Sequence, residues 1–397
     1  MRSSLDIAGT SFIPRGILVR GVNWLGDAVM TTPALARLRE RFPSAHVTLL
    51  SHRKLAELWE GQPLFDEVMI FESGDSLGRT ARRLKERTFD LAVVLPNSPR
   101  AALEAWLARI PVRVGRSTSW RRAFLTHPVN LSSSDFAMPK RTRREVLRIL
   151  SASGSAPSDR EKLSSSNPAQ ALGNASASAV LGAKRHHVHQ YLEVVQALGG
   201  RAEATPPKLT VSTAEETAVA EKFGLSSAVQ WIGVNAGAEY GPAKRWPLES
   251  FARTIAMILG QSDHGILLLG GSADANAAAT IAQEASIQAT EAGRIKNLAG
   301  KTSLKELCAV LRRCSVVLTN DTGPMHVAAA VGTPLVAIFG STEPAMTGPG
   351  LPGSPRVRIL RNPTPCAPCF LRDCPIDLRC LTGIDASDVA RAVLDWP

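Results

Sequence analysis

The chain has 397 residues, two to three times a usual domain of about 150, and its 44% hydrophobic and 20% charged content excludes wholesale disorder. Lys and Arg number 46 against 35 Asp and Glu, a net charge of +11, so an acidic partner is expected: nucleic acid, an anionic membrane surface or a phosphorylated substrate. The longest apolar runs, such as GILLLGG at 265–271 and PLVAIFG at 334–340, fall short of the ~20 residues of a membrane span, and residues 1–16 lack a secretory apolar stretch, which makes a cytoplasmic protein the expectation.

In chain order, ILVR (17–20) leads into ALARLRER (34–41), whose apolar positions repeat at helical spacing. HVTLL (46–50), EVMIF (67–71), DLAVVL (90–95) and VRVG (112–115) follow as strand candidates with helix-like stretches between most of them. Strand–helix alternation of this kind predicts a parallel sheet covered by helices. The pattern breaks at 151–180, where nine Ser and seven Ala in thirty residues predict a flexible insertion. After VHQYLEVVQALGG (188–200), a helix closed by a Gly pair, a second alternating set begins. Its strand candidates are WIGVNAG (231–237), GILLLGG (265–271), RIKNLAG (294–300), SVVLTND (315–321) and PLVAIFG (334–340). The expected fold is α/β, with two doubly wound, Rossmann-like domains facing across a cleft and ligands beyond the carboxyl ends of the strands. The expected boundaries are 15–200 and 201–397.

Three segments carry chemistry. In RGVNWLGDAVMTTPAL (20–35), Gly21 and Gly26 allow a close turn, and Asp27 enters the helix either as its N-terminal cap or as a general base. The dinucleotide spacing G-x-G-x-x-G is absent here, and no Walker lysine follows, which argues against a dehydrogenase or an NTPase. In GVNAGAEYGPAKRWPLESF (233–251), a Gly-rich loop carries Lys244 and Arg245. Converging N–H groups beside a mobile cation suit a diphosphate, a solvated basic loop being the alternative. In SVVLTNDTGPMHVAAAVGTPLVAIFG (315–340), Asp321, Thr322 and Gly323 precede a small-residue helix whose free N–H groups suit an anion. His326 lies one helical step inside, a position more often structural than catalytic.

The strings WLGDAVMTTPAL, NAGAEYGPAKRWP, NLAGKTSL and TNDTGPMHVAAAVGTPLVAIFGST resemble the ADP-heptose:lipopolysaccharide heptosyltransferases of glycosyltransferase family 9. The likeness covers roughly 17–120 and 185–397. It implies the GT-B fold, with an N-terminal acceptor-binding domain and a C-terminal domain for the donor ADP-heptose. It also implies that Asp27 is the catalytic base, that Lys244 contacts the donor phosphate, and that Asp274 in GGSADA lies at the ribose. Asp321, Thr322 and Gly323 would hold the diphosphate with His326 adjacent. The implied reaction is inverting transfer of L-glycero-D-manno-heptose onto the inner-core heptose of lipopolysaccharide. The phosphorylated Kdo–lipid A acceptor would draw the enzyme to the cytoplasmic face of the inner membrane. A paralogue with the same donor and another core acceptor is the alternative. No D-x-D triplet occurs in the chain, so a reaction without a metal cofactor is expected.

Two features stand apart. The segment 364–382 holds Cys366, Cys369, Cys374 and Cys380 at C-x2-C-x4-C-x5-C spacing, open to reading as packed reduced thiols, a structural metal site or a disulfide. The runs KRTRREVLR (140–148) and WRR (120–122) are either solvated faces or clamps for acceptor phosphates, with Arg121 and Arg122 as the named candidates. His186, His187 and His189 read as structural or acceptor-contacting. A nucleic-acid-binding protein is a remote alternative, since aromatics are only 5% and no RNA-binding or zinc-finger signature is visible.

Overall fold

The computed structural model describes residues 12–130, 140–152, 186–289 and 292–396. Its elements in chain order begin with β1 (Gly16–Arg20), α1 (Leu25–Arg41), β2 (His46–His52), β3 (Glu67–Phe71), α2 (Leu77–Lys85), β4 (Leu91–Val94), α3 (Pro99–Leu107), β5 (Val112–Arg116), β6 (His127–Val129), α4 (Arg143–Ala152) and α5 (His187–Gln196). They continue with α6 (Thr213–Phe223), β7 (Trp231–Asn235), α7 (Leu248–Gln261), β8 (Gly265–Leu269), α8 (Ala275–Ala289), β9 (Ile295–Asn297), α9 (Leu304–Arg313), β10 (Val316–Asn320) and α10 (Gly323–Ala330). Last come β11 (Leu335–Phe339), α11 (Pro344–Thr347), β12 (Val357–Arg361), α12 (Arg379–Thr382) and α13 (Ala386–Leu394).

Two compact units result. Of the described residues, 12–130 and 187–210 form the first, while 140–152, 186, 211–289 and 292–396 form the second. Each holds a six-stranded sheet whose strand pairs are all parallel, ordered β3-β2-β1-β4-β5-β6 and β12-β11-β10-β7-β8-β9. Counted from the first strand of each unit, both orders are 3-2-1-4-5-6, the doubly wound arrangement of nucleotide-binding sheets. The central strands β1, β4, β7, β8, β10 and β11 are buried along their whole length. Helices on both faces leave no polar side to the strand, which is why these segments read as continuous apolar runs rather than alternating ones.

Local chemistry sets the helix boundaries. Ser212 and Ser303 form reciprocal capping boxes with Glu215 and Glu306, and Ser98 caps α3 just ahead of Pro99. Gly224 closes α6 in the left-handed region at φ 60°, which a side chain would resist. Pro33 interrupts the ladder of α1, and the Thr32 hydroxyl donates at 2.8 Å to the Val29 carbonyl that Pro33 cannot serve.

The segment 140–152 joins the second unit, although the sequence reading placed it with 15–200. Val146 packs against Cys366 and Cys369, while the Arg141 N–H donates to the Cys369 carbonyl at 3.0 Å. Residues 201–210 stay with the first unit, where Gln62 exchanges two hydrogen bonds with the Thr210 backbone. Ser151 and Ala152 complete α4, and the remainder of the expected insertion, 153–180, lies outside the described residues. Among the described residues no helix is long and apolar enough to cross a membrane.

Candidate active site

In the first unit, the loop leaving β1 is pinned at Gly21, whose N–H donates to the Leu50 carbonyl at 3.0 Å; a Cβ there would press within 3.2 Å of Leu49 and Leu50. Beneath it lies a buried ion pair that the sequence reading missed. Arg20 Nε meets Glu104 Oε2 at 2.8 Å, Nη1 donates to the Gly21 carbonyl at 2.7 Å, and the guanidinium stacks 4.1 Å from the Phe71 ring. Burial pulls the Arg20 pKa down and Glu104 opposes that shift. The only hint in sequence was a charge ending an apolar strand.

The N-cap of α1 is Trp24, whose side chain makes no capping bond. Asp27 therefore sits inside the first turn, near the positive end of the helix dipole, rather than at the cap position. Its Oδ1 accepts a hydrogen bond from the Tyr191 hydroxyl of α5 at 3.2 Å. Burial raises the Tyr191 pKa well above 10, and the Asp27 charge adds to the shift. Tyr191 is thus a constant donor to Asp27 across the physiological range. Nearby, Arg116 Nη1 donates to Gln190 at 2.8 Å.

The two acceptor candidates at 120–122 part company. Arg121 is wholly buried: Nη1 donates to the Pro96 carbonyl at 2.6 Å, whereas Nε and Nη2 have no hydrogen-bond partner among the described residues. Burial, then the charge of Arg116, lowers its pKa to about 10, which still leaves a cation at neutral pH. Arg122 faces solvent. His186 is buried and its Nε2 donates to the Gly348 carbonyl at 2.9 Å in the second unit, a structural role.

In the second unit, three strand ends converge through their loops. After β7 the chain runs to the tight turn Pro242–Lys244, and Lys244 Nζ lies 2.6 Å from Asp321 Oδ2 just beyond β10. The Tyr240 ring sits 5.0 Å from the same ammonium group. Asp321 is buried and also accepts from the Thr342 hydroxyl after β11. Asn320 locks the arrangement: its Nδ2 donates to the Ala236 carbonyl at 2.7 Å, and its Oδ1 accepts from the Trp246 N–H at 3.2 Å. Sequence reasoning found Lys244 and Asp321 but not their pairing, nor Asn320 and Thr342.

Thr322 is the N-cap of α10, Gly323 its first residue and Pro324 part of its first turn. The Thr322 side chain makes no capping bond, and His326 lies buried one turn inside. Asp274 ends the turn Ser272–Asp274 and accepts from the Gly271 N–H at 3.0 Å. Its carboxylate lies 2.6 Å from where a Cβ on Gly237 would stand, so a larger residue there would displace the Asp274 side chain. Lys244, Asp321, Thr322 and Gly323 therefore gather at the end of β10, and Asp274 gathers with Gly237 at the ends of β7 and β8.

The cysteine segment backs these loops. The Tyr240 hydroxyl donates to the Phe370 carbonyl at 2.9 Å, Ala243 N–H to Arg372 at 3.1 Å, and Cys369 and Phe370 N–H to Ser341 at 3.0 and 2.8 Å. All six cysteines are free thiols, which removes the disulfide reading. Among the described residues no group of three or more His, Cys, Asp or Glu is arranged to hold a metal ion. Cys366, Cys369 and Cys380 are buried as packing groups, with Val146 against the first two.

Each unit thus carries a doubly wound sheet, with Asp27 at a helix start in the first and the Lys244–Asp321 pair beside a helix start in the second. Residues 163–379 match glycosyltransferase family 9 (heptosyltransferase), and the chain belongs to that family. It is 30% identical to lipopolysaccharide heptosyltransferase 2 of Salmonella typhimurium over 87% of both chains, and 28% identical to the Escherichia coli protein of that name over the same shares. The structure of E. coli ADP-heptose lipopolysaccharide heptosyltransferase II superposes with a TM-score of 0.71 at 26% identity, covering 95% of this chain and 96% of that one.

Proposed function

We propose that the protein transfers L-glycero-D-manno-heptose from ADP-heptose to the inner-core heptose of lipopolysaccharide, with inversion at the anomeric carbon. The observation that carries this reading is the Lys244–Asp321–Thr342 cluster at the strand ends of the second unit. It supplies a held cation beside a helix start at Thr322–Gly323, a pairing suited to a diphosphate. Relatives named lipopolysaccharide heptosyltransferase 2, aligned over most of their length, support heptose transfer.

The acceptor hydroxyl loses its proton to Asp27 as its oxygen attacks the anomeric carbon. The bond from that carbon to the diphosphate oxygen breaks, and ADP leaves with the bonding electrons. Lys244 and the α10 start stabilise the charge gathering on the leaving group. Asp321 Oδ2 faces Lys244 Nζ at 2.6 Å, so its part is to aim Lys244 rather than to touch phosphate. Asp274 takes the donor ribose, and His326 supports the α10 turn. This single displacement calls for neither a covalent enzyme nucleophile nor a metal cofactor.

In the first unit, Arg122 offers a direct contact to an acceptor phosphate, and buried Arg121 adds a positive field. The acceptor is a phosphorylated Kdo–lipid A core, which places the enzyme peripherally at the cytoplasmic face of the inner membrane. Incubation with ADP-heptose and defined Kdo- or heptose-terminated cores, read by mass spectrometry, tests the proposal. One added heptose on the heptose-terminated core supports it. Addition only to a Kdo-terminated core assigns the chain to a paralogous acceptor, and no addition to any core overturns the transfer.

A further inference from the structure

The first unit leaves three tryptophans in solvent, Trp24, Trp106 and Trp120, and the last two share one aromatic neighbour. Trp106 on α3 is 46% exposed and Trp120 is 65% exposed, although indoles are normally well covered in a fold. Both pack edge-on against Phe124, with ring centroids 5.7 and 6.0 Å apart and interplanar angles of 63° and 75°. The three rings form one aromatic ridge rather than isolated exposures. Its electrostatic setting is one-sided: residues 96–130 contain six arginines and one acidic residue, Glu104. That carboxylate is buried against Arg20 and Arg100, so the segment shows solvent no negative charge. Arg109 and Arg122 are exposed beside the two indoles in sequence.

We propose that this ridge is where the protein docks on an anionic lipid bilayer. An indole has an apolar body and a polar N–H, and it is most stable at the level of lipid headgroups. Arginines set around it pair with lipid phosphates, and each adjacent cation strengthens attraction to an anionic leaflet. A purely apolar partner would leave the arginines unmatched, and a purely ionic one would leave the indoles without a site. The inference rests on the reading of a lipid-linked acceptor for its purpose, and on the ridge itself for its chemistry.

Co-sedimentation with phosphatidylcholine vesicles, with and without phosphatidylglycerol, tests it. The wild type is expected to bind only the anionic vesicles and to release at high salt. Replacing Trp106→Ser together with Trp120→Ser is expected to weaken that binding at least ~10-fold. Trp120→Ser alone, at the more exposed ring, keeps the test readable if the double variant misfolds. Transfer to a delipidated, water-soluble core acceptor should be unchanged in both variants. Three results would overturn the proposal: wild type that ignores anionic vesicles, variants that bind as well as wild type, or variants that lose turnover on the soluble acceptor, which would make the ridge a sugar platform. A change of oligomeric state in the variants also overturns it, in favour of a protein interface. Vesicle binding that persists in a protein without heptose transfer would sink the transfer reading alone.

Discussion

Lys244 and Asp321 meet at 2.6 Å with the lysine side chain only 13% and the aspartate only 4% exposed. A pair this enclosed fixes the ammonium in one place before any donor arrives, and Thr342 fixes the carboxylate in turn. In the transfer proposed above, the cation facing a departing diphosphate is therefore held by the fold instead of being recruited from solvent.

Lys244→Ala should weaken ADP binding in calorimetry and lower kcat/KM for ADP-heptose by about 10²-fold, the usual loss for a leaving-group contact. Asp321→Asn keeps the shape but releases the lysine, so kcat should fall more than donor affinity. An unchanged ADP titration and rate in Lys244→Ala would remove that lysine from the donor site.

Asp27→Ala should lower kcat at least ~10²-fold, the low end for loss of a general base, with ADP affinity kept. Near-normal turnover would take Asp27 out of the mechanism.

Tyr191 gives a signature in pH. Its pKa is raised in the folded protein, so above about pH 10 the unfolded chain has released this proton while the fold retains it. Stability from this group is then whole below about pH 10 and declines above it, by up to ~1.4 kcal/mol per pH unit. Denaturation at alkaline pH should show a steeper loss in wild type than in Tyr191→Phe. Parallel slopes would mean that the phenol ionises freely in the fold.

Thiol reactivity should follow burial. Burial pushes Cys308, Cys314 and Cys380 up to about 12, the last also through the thiols around it, whereas Cys374 is half-exposed. An aromatic disulfide reagent near neutral pH should label Cys374 first, and Cys374→Ser should remove that phase. All six thiols should titrate on unfolding without reductant.

Arg121→Met exchanges a buried cation lacking two of its hydrogen-bond partners for an apolar side chain of similar length. Such an exchange is often neutral or stabilising, so Tm should hold or rise while KM for the acceptor increases several-fold at unchanged kcat. A fall in Tm with an unaltered KM would make Arg121 purely structural.

The buried strands were legible because a strand covered on both faces has no polar side to alternate; GILLLGG at 265–271 contains β8, which is buried at every residue. The two strands missed both lie at sheet edges. β6 has three residues, one of them Pro128, and pairs only with β5, while β12 has no fully buried residue and exposes Ile359 and Arg361. In the site, a carboxylate after a glycine turn and a lysine in a Gly-rich loop could be seen in one window of sequence. Their partners could not. Tyr191 reaches Asp27, and Asp321 reaches Lys244, only once distant segments are brought together by sheet order. The same holds for α4, whose attachment to the cysteine segment depends on Val146 meeting Cys366 and Cys369.

Asn320 ties the carbonyl of Ala236 and the N–H of Trp246 to the end of β10, and β10 lies directly beside β7 in the sheet. Everything between those strands in sequence must be laid down before they can pair. The loop that bears Lys244 consequently has no anchor in a nascent chain that stops short of residue 320. With the donor site proposed above, retention on immobilised ADP would thus report that the second unit has folded at least through β10, sorting such molecules from those stalled earlier.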